Sequence, residues 1–275
     1  MDYATLLVHL RLGATNEGVL KVTSDLAKQY EAAVIGIAAF HPVPLAFGDI
    51  RRRGNILAVD GVELGRNMLS AENEFKNAMQ GKVASLEWRS TGRRMDLSNF
   101  IARQARTADL VITEALAGGM LNSSRDGDTG SLILHAGRPV LLVPAALSSP
   151  AFERVLVAWK DTREARRAVA DALPLMRRAT AVTVVEIASN DNLTATRRHL
   201  DDVVIWLKRH GVFAKACALN STGDDAAGLR DIAHQERSDL IVAGAYGHSR
   251  LHDWVMGGVT REFLLNPTRC MLLSH

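Results

Sequence analysis

The sequence ADLVI at residues 108–112 recurs as SDLIV at residues 238–242. Each copy places an aspartate directly before a run of aliphatic residues, which is typical of a strand buried on both faces of a parallel sheet. One copy lies in each half of the 275-residue chain. Since domains cluster at about 100–150 residues, the repeat predicts two similar units rather than one large domain.

The segments around each copy follow the same order in both halves. Expected strands are residues 5–10, 32–40, 83–89, 108–112 and 139–143, then 154–159, 180–187, 212–219, 238–242 and 270–273. Amphipathic runs that predict helices lie between them, at 16–30, 55–80 and 97–107, then at 163–178, 193–210, 225–237 and 259–265. This alternation predicts an α/β fold of two doubly wound, five-stranded parallel-sheet domains with helices on both faces.

The join between the halves is the segment PAALSSP at residues 144–150, in which two prolines bracket small residues. Such a composition is typical of a linker. We therefore place one domain at residues 1–146 and the other at residues 151–275.

Composition narrows the class of protein. With 47% hydrophobic and 23% charged residues, the chain is typical of a globular protein with a sizeable core. The net charge is +3, and the arginine pairs are scattered along the chain with one dense run at 51–53, a distribution that argues against nucleic-acid binding. Cys217 and Cys270 lie in apolar runs and are expected to be core thiols. No signal peptide or membrane-spanning run is visible, so we expect a cytoplasmic location.

The segment GAYGHSRLHDWVMGGVT at residues 244–260 is the best candidate for a ligand site. It follows the fourth strand of the second half, and open parallel sheets bind ligands beyond the carboxyl ends of their strands. Two glycines leave the strand and two more precede a predicted helix, where backbone N–H groups can approach a phosphate. The alternative is a glycine-rich loop that only turns the chain.

The glycine spacing resembles the nucleotide-binding motif of universal stress proteins, in which Gly-x-x-Gly is followed after nine residues by Gly, a small residue and Val-Thr. The matching positions are Gly244, Gly247, Gly257, Gly258, Val259 and Thr260. The resemblance extends over the whole chain as two copies. In the first half, however, Gly118-Gly119 and Gly130-Ser131 have the wrong spacing, so we expect no ATP there. We expect a pseudo-site kept for packing or for another ligand.

The resemblance implies the adenine nucleotide alpha hydrolase-like fold, with strand order 3-2-1-4-5 and domains paired through their last strands. In a tandem chain, residues 140–143 and 270–273 then face each other as a pseudo-dimer, and a further homodimer of chains is compatible. It also implies bound ATP or AMP, with Mg²⁺ accompanying ATP. Gly244, Gly247 and Gly257 would approach the phosphates or ribose, Gly258, Val259 and Thr260 would donate hydrogen bonds, and Ile187 would border the adenine.

Two positions depart from the family's pattern. Gly258 stands where the ATP-binding form has Ser or Thr, a loss of one hydrogen bond worth about 1 kcal/mol, or roughly fivefold in affinity. After the first strand the family has Asp-Gly-Ser or Asp-Gly-Thr, whereas this chain has Lys160-Asp161-Thr162. Either Lys160 contacts phosphate, or it extends into solvent, or the turn shifts by one residue and presents Asp161.

Catalytic motifs are missing from the sequence, which lacks a P-loop, a Gly-x-Ser-x-Gly elbow and a His-Glu-x-x-His zinc pair. We expect no catalytic residues, no metal site and at most slow ATP hydrolysis. Two hypotheses follow. The protein is either a stress-response regulatory module that binds an adenine nucleotide in its second half, or a scaffold that acts through dimerisation and protein partners. A hydrophobic ligand of the first half, suggested by the long segment 42–67, has little support.

Overall fold

The computed structural model describes residues 2–39, 53–92, 96–115, 129–145, 147, 151–245 and 267–275, with only the backbone at 53–60. The elements of the first half are β1 (Thr5–His9), α1 (Glu17–Tyr30), β2 (Ala33–Ala39), α2 (Arg53–Met79), β3 (Leu86–Thr91), α3 (Leu97–Gln104), β4 (Leu110–Ala115), α4 (Thr129–Ala136) and β5 (Val140–Pro144). Those of the second half are β6 (Arg154–Ala158), α5 (Arg163–Asp171), α6 (Leu173–Met176), β7 (Ala181–Ala188), α7 (Leu193–Arg209), β8 (Ala214–Asn220), α8 (Asp225–Gln235), β9 (Leu240–Gly244) and β10 (Cys270–Ser274). The predicted helix at 259–265 lies outside the described residues.

The strands form one ten-stranded sheet in the order β3-β2-β1-β4-β5-β10-β9-β6-β7-β8. Each half therefore has the strand order 3-2-1-4-5, as the family resemblance implies. Within each half every neighbouring pair of strands is parallel. This confirms the predicted α/β class and the parallel sheet in both halves.

The two halves meet through β5 and β10, which pair antiparallel. The register places Leu142 opposite Met271, Leu141 opposite Leu272, and Val140 opposite Leu273. All six residues are at most 2% exposed, so the junction is part of the core. The predicted pairing of the last strands within one chain is confirmed.

Helices cover both faces of the sheet. On one face α1, α2 and α5 pack on β-strand side chains such as Leu6, Val8 and Val157. On the other face α3, α4 and α8 pack on a second set that includes Leu7, Val111 and Leu156. Right-handed β-α-β crossovers produce this arrangement, because consecutive helices change face where the strand order reverses.

The predicted helix at 163–178 is interrupted, because proline cannot continue a preceding helix. Helix α5 ends at Asp171, and Pro174 lies in the first turn of α6. Pro144, assigned to the linker, is the last residue of β5 and is buried. The domain boundaries 1–146 and 151–275 stay a prediction.

Cys270 is fully buried and Cys217 is half-buried. Burial raises the pKa of both thiols, that of Cys270 to about 12.

The repeated aspartates have the same structural role in both halves. One carboxylate oxygen of Asp109 accepts hydrogen bonds from the backbone N–H groups of Ala4 and Thr5, each at 2.9 Å. The carboxylate of Asp239 accepts from the N–H groups of Glu153 and Arg154 at 2.8 and 3.0 Å. Each aspartate therefore ties the start of the fourth strand of its half to the start of the first strand.

Helices among the described residues include none that is both long and apolar enough to cross a membrane.

Replacing Asp239 with alanine should lower the free energy of unfolding by about 1–3 kcal/mol, because it leaves two backbone donors without their acceptor. Asp239→Asn should cost less, since its amide oxygen retains one acceptor. Urea unfolding followed by circular dichroism measures both effects. Asp201→Ala, on the exposed face of α7, is the control and should change the stability by less than about 0.5 kcal/mol. Equal stability of Asp239→Ala and the control would contradict this role.

Candidate functional site

The described parts of the predicted site lie on three neighbouring strands. Gly244 ends β9, Lys160 and Asp161 follow β6, and Ile187 lies near the end of β7. Because the sheet order is β7-β6-β9 and these strands are parallel, all four residues lie at the same carboxyl edge. This edge includes the switch point between β6 and β9, where chain connections leave in opposite directions. Gly247, Gly257, Gly258, Val259 and Thr260 lie outside the described residues.

The turn after β6 is organised by Thr162 rather than by Asp161. The Thr162 hydroxyl caps α5 by accepting from the N–H of Ala165 at 3.3 Å. The Asp161 carboxylate accepts from the Arg166 guanidinium at 2.7 Å, in an exposed ion pair. Lys160 is also exposed. Asp161 is therefore held on the surface of α5, where such a pair contributes about 0–1 kcal/mol.

Gly244 is required for the packing of α5 on the sheet. A Cβ atom at this position would lie 2.4 Å from the backbone nitrogen of Ala165 and 2.6 Å from the carbonyl carbon of Glu164. Both contacts are with helix backbone, which cannot move as a side chain can. Gly244, the first glycine of the motif, is therefore needed so that the first turn of α5 can approach the end of β9. A phosphate-binding role for Gly244 stays a prediction.

Ile187 borders a cleft of about 310 Å³ at the carboxyl ends of β7 and β8. Its apolar wall includes Leu219 and Ile232, and Gly228 of α8 comes close enough that a Cβ there would lie 3.5 Å from Cδ1 of Ile187. Polar residues line the rest of the cleft, among them Asn220, Thr222, Asp224, Asp225, Asp231 and Gln235. An apolar wall with polar groups around it is suited to a flat heterocycle that carries hydrogen-bond donors.

Two of these carboxylates are already engaged within the protein. Asp224 caps α8 by accepting from the N–H of Ala227 at 2.9 Å, and Asp225 accepts from the hydroxyl of Ser221. The contribution of α8 to this cleft was not predicted from the sequence. The glycine at position 228, inside an otherwise ordinary helix, was the available signal, because glycine there costs about 1 kcal/mol relative to alanine.

Beside the turn after β6 lie three polar side chains on the α5 and α7 face of the sheet. Trp159 follows β6, Glu186 lies in β7 and His199 lies in α7. The Nε2 atom of His199 is 3.0 Å from Oε2 of Glu186. Burial raises the pKa of the Glu186 carboxyl above its usual range, while His199 opposes that rise.

In the first half, polar side chains occupy the carboxyl ends of β1 and β4, the edge that corresponds to the candidate site of the second half. The Nδ1 atom of His9 and the hydroxyl of Thr113 lie 3.0 Å apart and are buried. Arg11, in the turn after β1, pairs with Glu114 of β4 at 3.2 Å. Asn16 is buried and bonds Glu74 of α2 through its backbone N–H and its side-chain amide. These side chains bond one another at the positions where the resembling family has ligand-binding residues.

Two further clefts lie at the opposite end of the second half. The larger, of about 640 Å³, is lined by Leu147, His234, Arg237, Ser238, Asp239, Thr268 and Arg269. Part of its lining is structural, since the Arg269 guanidinium donates to the carbonyl of Ser238 at 2.8 Å and Asp239 holds the start of β6. In the part of the chain that the structure describes, no group of three or more His, Cys, Asp or Glu side chains is placed to hold a metal ion.

Comparison with solved structures identifies the architecture. The chain matches a universal stress protein from Archaeoglobus fulgidus DSM 4304 with a TM-score of 0.75 and 13% identity, over 98% of this chain and 95% of that chain. This chain has the fold of a tandem universal stress protein. A functionally unknown protein from Pseudomonas aeruginosa PAO1 matches with a TM-score of 0.62 and 16% identity, over 99% of this chain and 92% of that chain. No protein-family model and no curated protein sequence matches.

The shared fold does not identify a ligand, because one fold serves many functions. The four described site residues lie together at the carboxyl edge, as expected. Their individual roles toward a nucleotide stay predictions.

Gly244→Ala should destabilise the second half by about 1–3 kcal/mol, since the methyl group would overlap the backbone of α5 and force a shift. The measurement is thermal or urea unfolding of the full chain. Gly65→Ala is the matched control. Nothing lies within 4 Å of a Cβ at Gly65, inside α2, so this change should stabilise by about 0.5–1 kcal/mol. A neutral Gly244→Ala would show that α5 moves freely relative to β9.

Proposed function

We propose that this protein is a universal stress protein that binds ATP or a related adenine nucleotide in its second half and acts as a regulatory module rather than as an efficient enzyme. The observation that carries the proposal is the cleft beside Ile187. It lies at the same edge of the sheet as Gly244, where the glycine motif begins. A base in the cleft and phosphates at the glycine motif would span the ends of β7, β6 and β9.

The chemistry of the cleft suits adenine. Ile187, Leu219 and Ile232 offer apolar contact to the faces of a ring, and Asn220 and Gln235 carry amide groups that hydrogen-bond a base edge. Positive charge for the phosphates would come from Lys160, which is exposed beside the switch point. The helix predicted at 259–265 would add backbone N–H donors at its start.

The proposal contains no hydrolytic step. General-base catalysis needs a carboxylate or imidazole within hydrogen-bond reach of the attacking water. Asp161 is paired with Arg166, while Asp224 and Asp225 hold the start of α8. These carboxylates serve the local structure, so we assign to the site binding and the conformational change that binding produces.

A scaffold without nucleotide is the second candidate. It is favoured by Lys160, a cation where the resembling family has an aspartate, and by the engagement of Asp161 with Arg166. In that case the protein would act through dimerisation and protein partners.

Calorimetry and native mass spectrometry on nucleotide-stripped protein, titrated with ATP and Mg²⁺, decide between the candidates. We expect one nucleotide per chain. Gly228→Leu should weaken binding by about tenfold or more, because the leucine side chain fills the cleft, and Gly247→Trp should block the predicted phosphate loop.

The matched control is Ala226→Leu, which places the same side chain on α8 outside the cleft lining and should leave affinity within about twofold. No binding by the wild-type protein at millimolar ATP would exclude the nucleotide proposal and favour the scaffold. Binding that Gly228→Leu leaves unchanged would place the nucleotide elsewhere.

A further inference from the structure

The outer edge of β8 is the open end of the ten-stranded sheet in the second half. β8 comes last in the strand order, and β7 is its only neighbour in the part of the chain that the structure describes. An edge strand presents a row of backbone N–H and C=O groups that can pair with another strand. The residues that carry these groups decide what can pair there.

Two hydrogen bonds show which backbone groups of β8 face outward. The carbonyl of Val185 in β7 accepts from Trp159 of the β6 side at 2.8 Å, and the carbonyl of Ala188 accepts from Ser221, just after β8, at 2.8 Å. Successive residues of a strand point their N–H and C=O groups to opposite sides. The odd-numbered residues of β8 therefore bond β7. The outward-facing residues are the even-numbered ones, Ala214, Ala216, Ala218 and Asn220.

These four residues do not obstruct the approach of another strand. Three are alanines and one is asparagine, whereas natural edge strands are commonly protected by charged residues or proline. The one charged residue of β8, Lys215, pairs with Glu236 of its own chain at 2.7 Å. At the other end of the sheet, β3 carries the ion pair of Glu87 with Arg89. Of the two edges, β8 is thus the less protected.

β8 is complementary to a second copy of itself. Antiparallel pairing about a two-fold axis at Cys217, the central residue of the strand, places Ala216 opposite Ala218 of the second copy. It also places Ala214 opposite Asn220 of the second copy. All of these residues face outward, so each opposed pair exchanges two hydrogen bonds and no outward group is left over. Moving the axis along the strand leaves some of these groups without a partner.

The same arrangement covers the most exposed large apolar side chain among the described residues. Phe213, directly before β8, is 79% exposed. With the axis at Cys217, it lies opposite Ser221 and diagonal to Leu219 of the second copy, a separation that an aromatic side chain can span. Leu219 lines the cleft beside Ile187. The second copy therefore brings an aromatic side chain next to the candidate site.

We propose that this protein forms a dimer in which β8 pairs antiparallel with β8 of a second copy, centred on Cys217. The contact is of the same type as the antiparallel β5–β10 pairing that joins the two halves of one chain. A two-fold axis uses the same strand on both copies, so the assembly closes at two chains and does not continue into a filament. The dimer does not depend on nucleotide binding.

Sedimentation equilibrium of the full chain measures the dimer dissociation constant. Ala216→Pro should raise that constant by about tenfold or more, because proline has no N–H to donate and its ring blocks the incoming strand. The matched control is Ser90→Pro in β3. Its N–H also faces outward, since the carbonyl of Ser85 accepts from Val34 of β2, and the constant should stay within about twofold.

Phe213→Ala should weaken the dimer by about fivefold or more, because the second copy no longer covers the ring. Leu69→Ala is the matched control. Leu69 is 62% exposed but lies in α2 of the first half, so its loss should leave the dissociation constant within about twofold.

Oxidation with copper phenanthroline tests the register. Opposed residues of a non-hydrogen-bonded antiparallel pair have Cα atoms about 4.5 Å apart, within the range that a disulfide bridges. The wild-type protein should give a disulfide-linked dimer. Cys217→Ser should give none, although it retains Cys270, which is fully buried.

A monomeric wild-type protein at high micromolar concentration would overturn the proposal. So would a dimer that Ala216→Pro and Ser90→Pro affect equally. Thermal unfolding verifies that each variant folds, and if Ala216→Pro does not, the oxidation decides, because a wild-type protein without the Cys217 disulfide overturns the pairing. None of these outcomes bears on nucleotide binding, which calorimetry measures separately.

Discussion

The antiparallel pairing of β5 with β10 is the interaction on which the rest of the structure depends. Without it, each half would end in an exposed strand of almost purely aliphatic residues. The unpaired backbone N–H and C=O groups of such an edge strand can pair with another chain. The pairing converts two five-stranded sheets into one, with the residues at the junction at most 2% exposed. Because β5 and β10 pair antiparallel, the carboxyl ends of the strands of one half lie at the opposite edge of the sheet from those of the other half.

Helix α5 connects the candidate site to this junction. Its first turn lies against Gly244, at the beginning of the glycine motif. At its last residue, the Asp171 carboxylate accepts from the hydroxyl of Ser274 in β10, and its backbone carbonyl accepts from the hydroxyl of Tyr3 in the first half. Burial raises the pKa of the Asp171 carboxyl, as expected for a group enclosed between two domains. The same helix therefore contacts the edge of the candidate site in the second half and Tyr3 of the first half.

The two halves share a fold and differ in what occupies their carboxyl edges. In the first half the Arg11–Glu114 pair and the buried His9–Thr113 contact occupy the switch point with the chain's own polar groups. In the second half an open cleft lies beside Ile187, and the Glu186 carboxylate lies 3.0 Å from Nε2 of His199 on the other face of the sheet. Both halves contain the aspartate that links the fourth strand to the first, since Asp109 and Asp239 make equivalent contacts. At this edge the two halves differ in their side chains while the strand order of the sheet is the same.

The sequence by itself determined the repeat, the α/β class and the sheet edge at which the candidate residues Lys160, Asp161, Ile187 and Gly244 lie. The runs at 108–112 and 238–242 are apolar on both faces because these strands are covered on both faces, so burial alone produces the pattern that is visible in the sequence. The apolar pattern did not predict that the helix is interrupted before Pro174, or that Pro144 belongs to β5 rather than to the linker. Only the tertiary structure decided that Gly244 is needed for packing, that Asp161 pairs with Arg166, and that Gly228 and Ile187 line one cleft. Each of these depends on contacts between elements distant in sequence or on the direction of a side chain, which periodicity cannot specify.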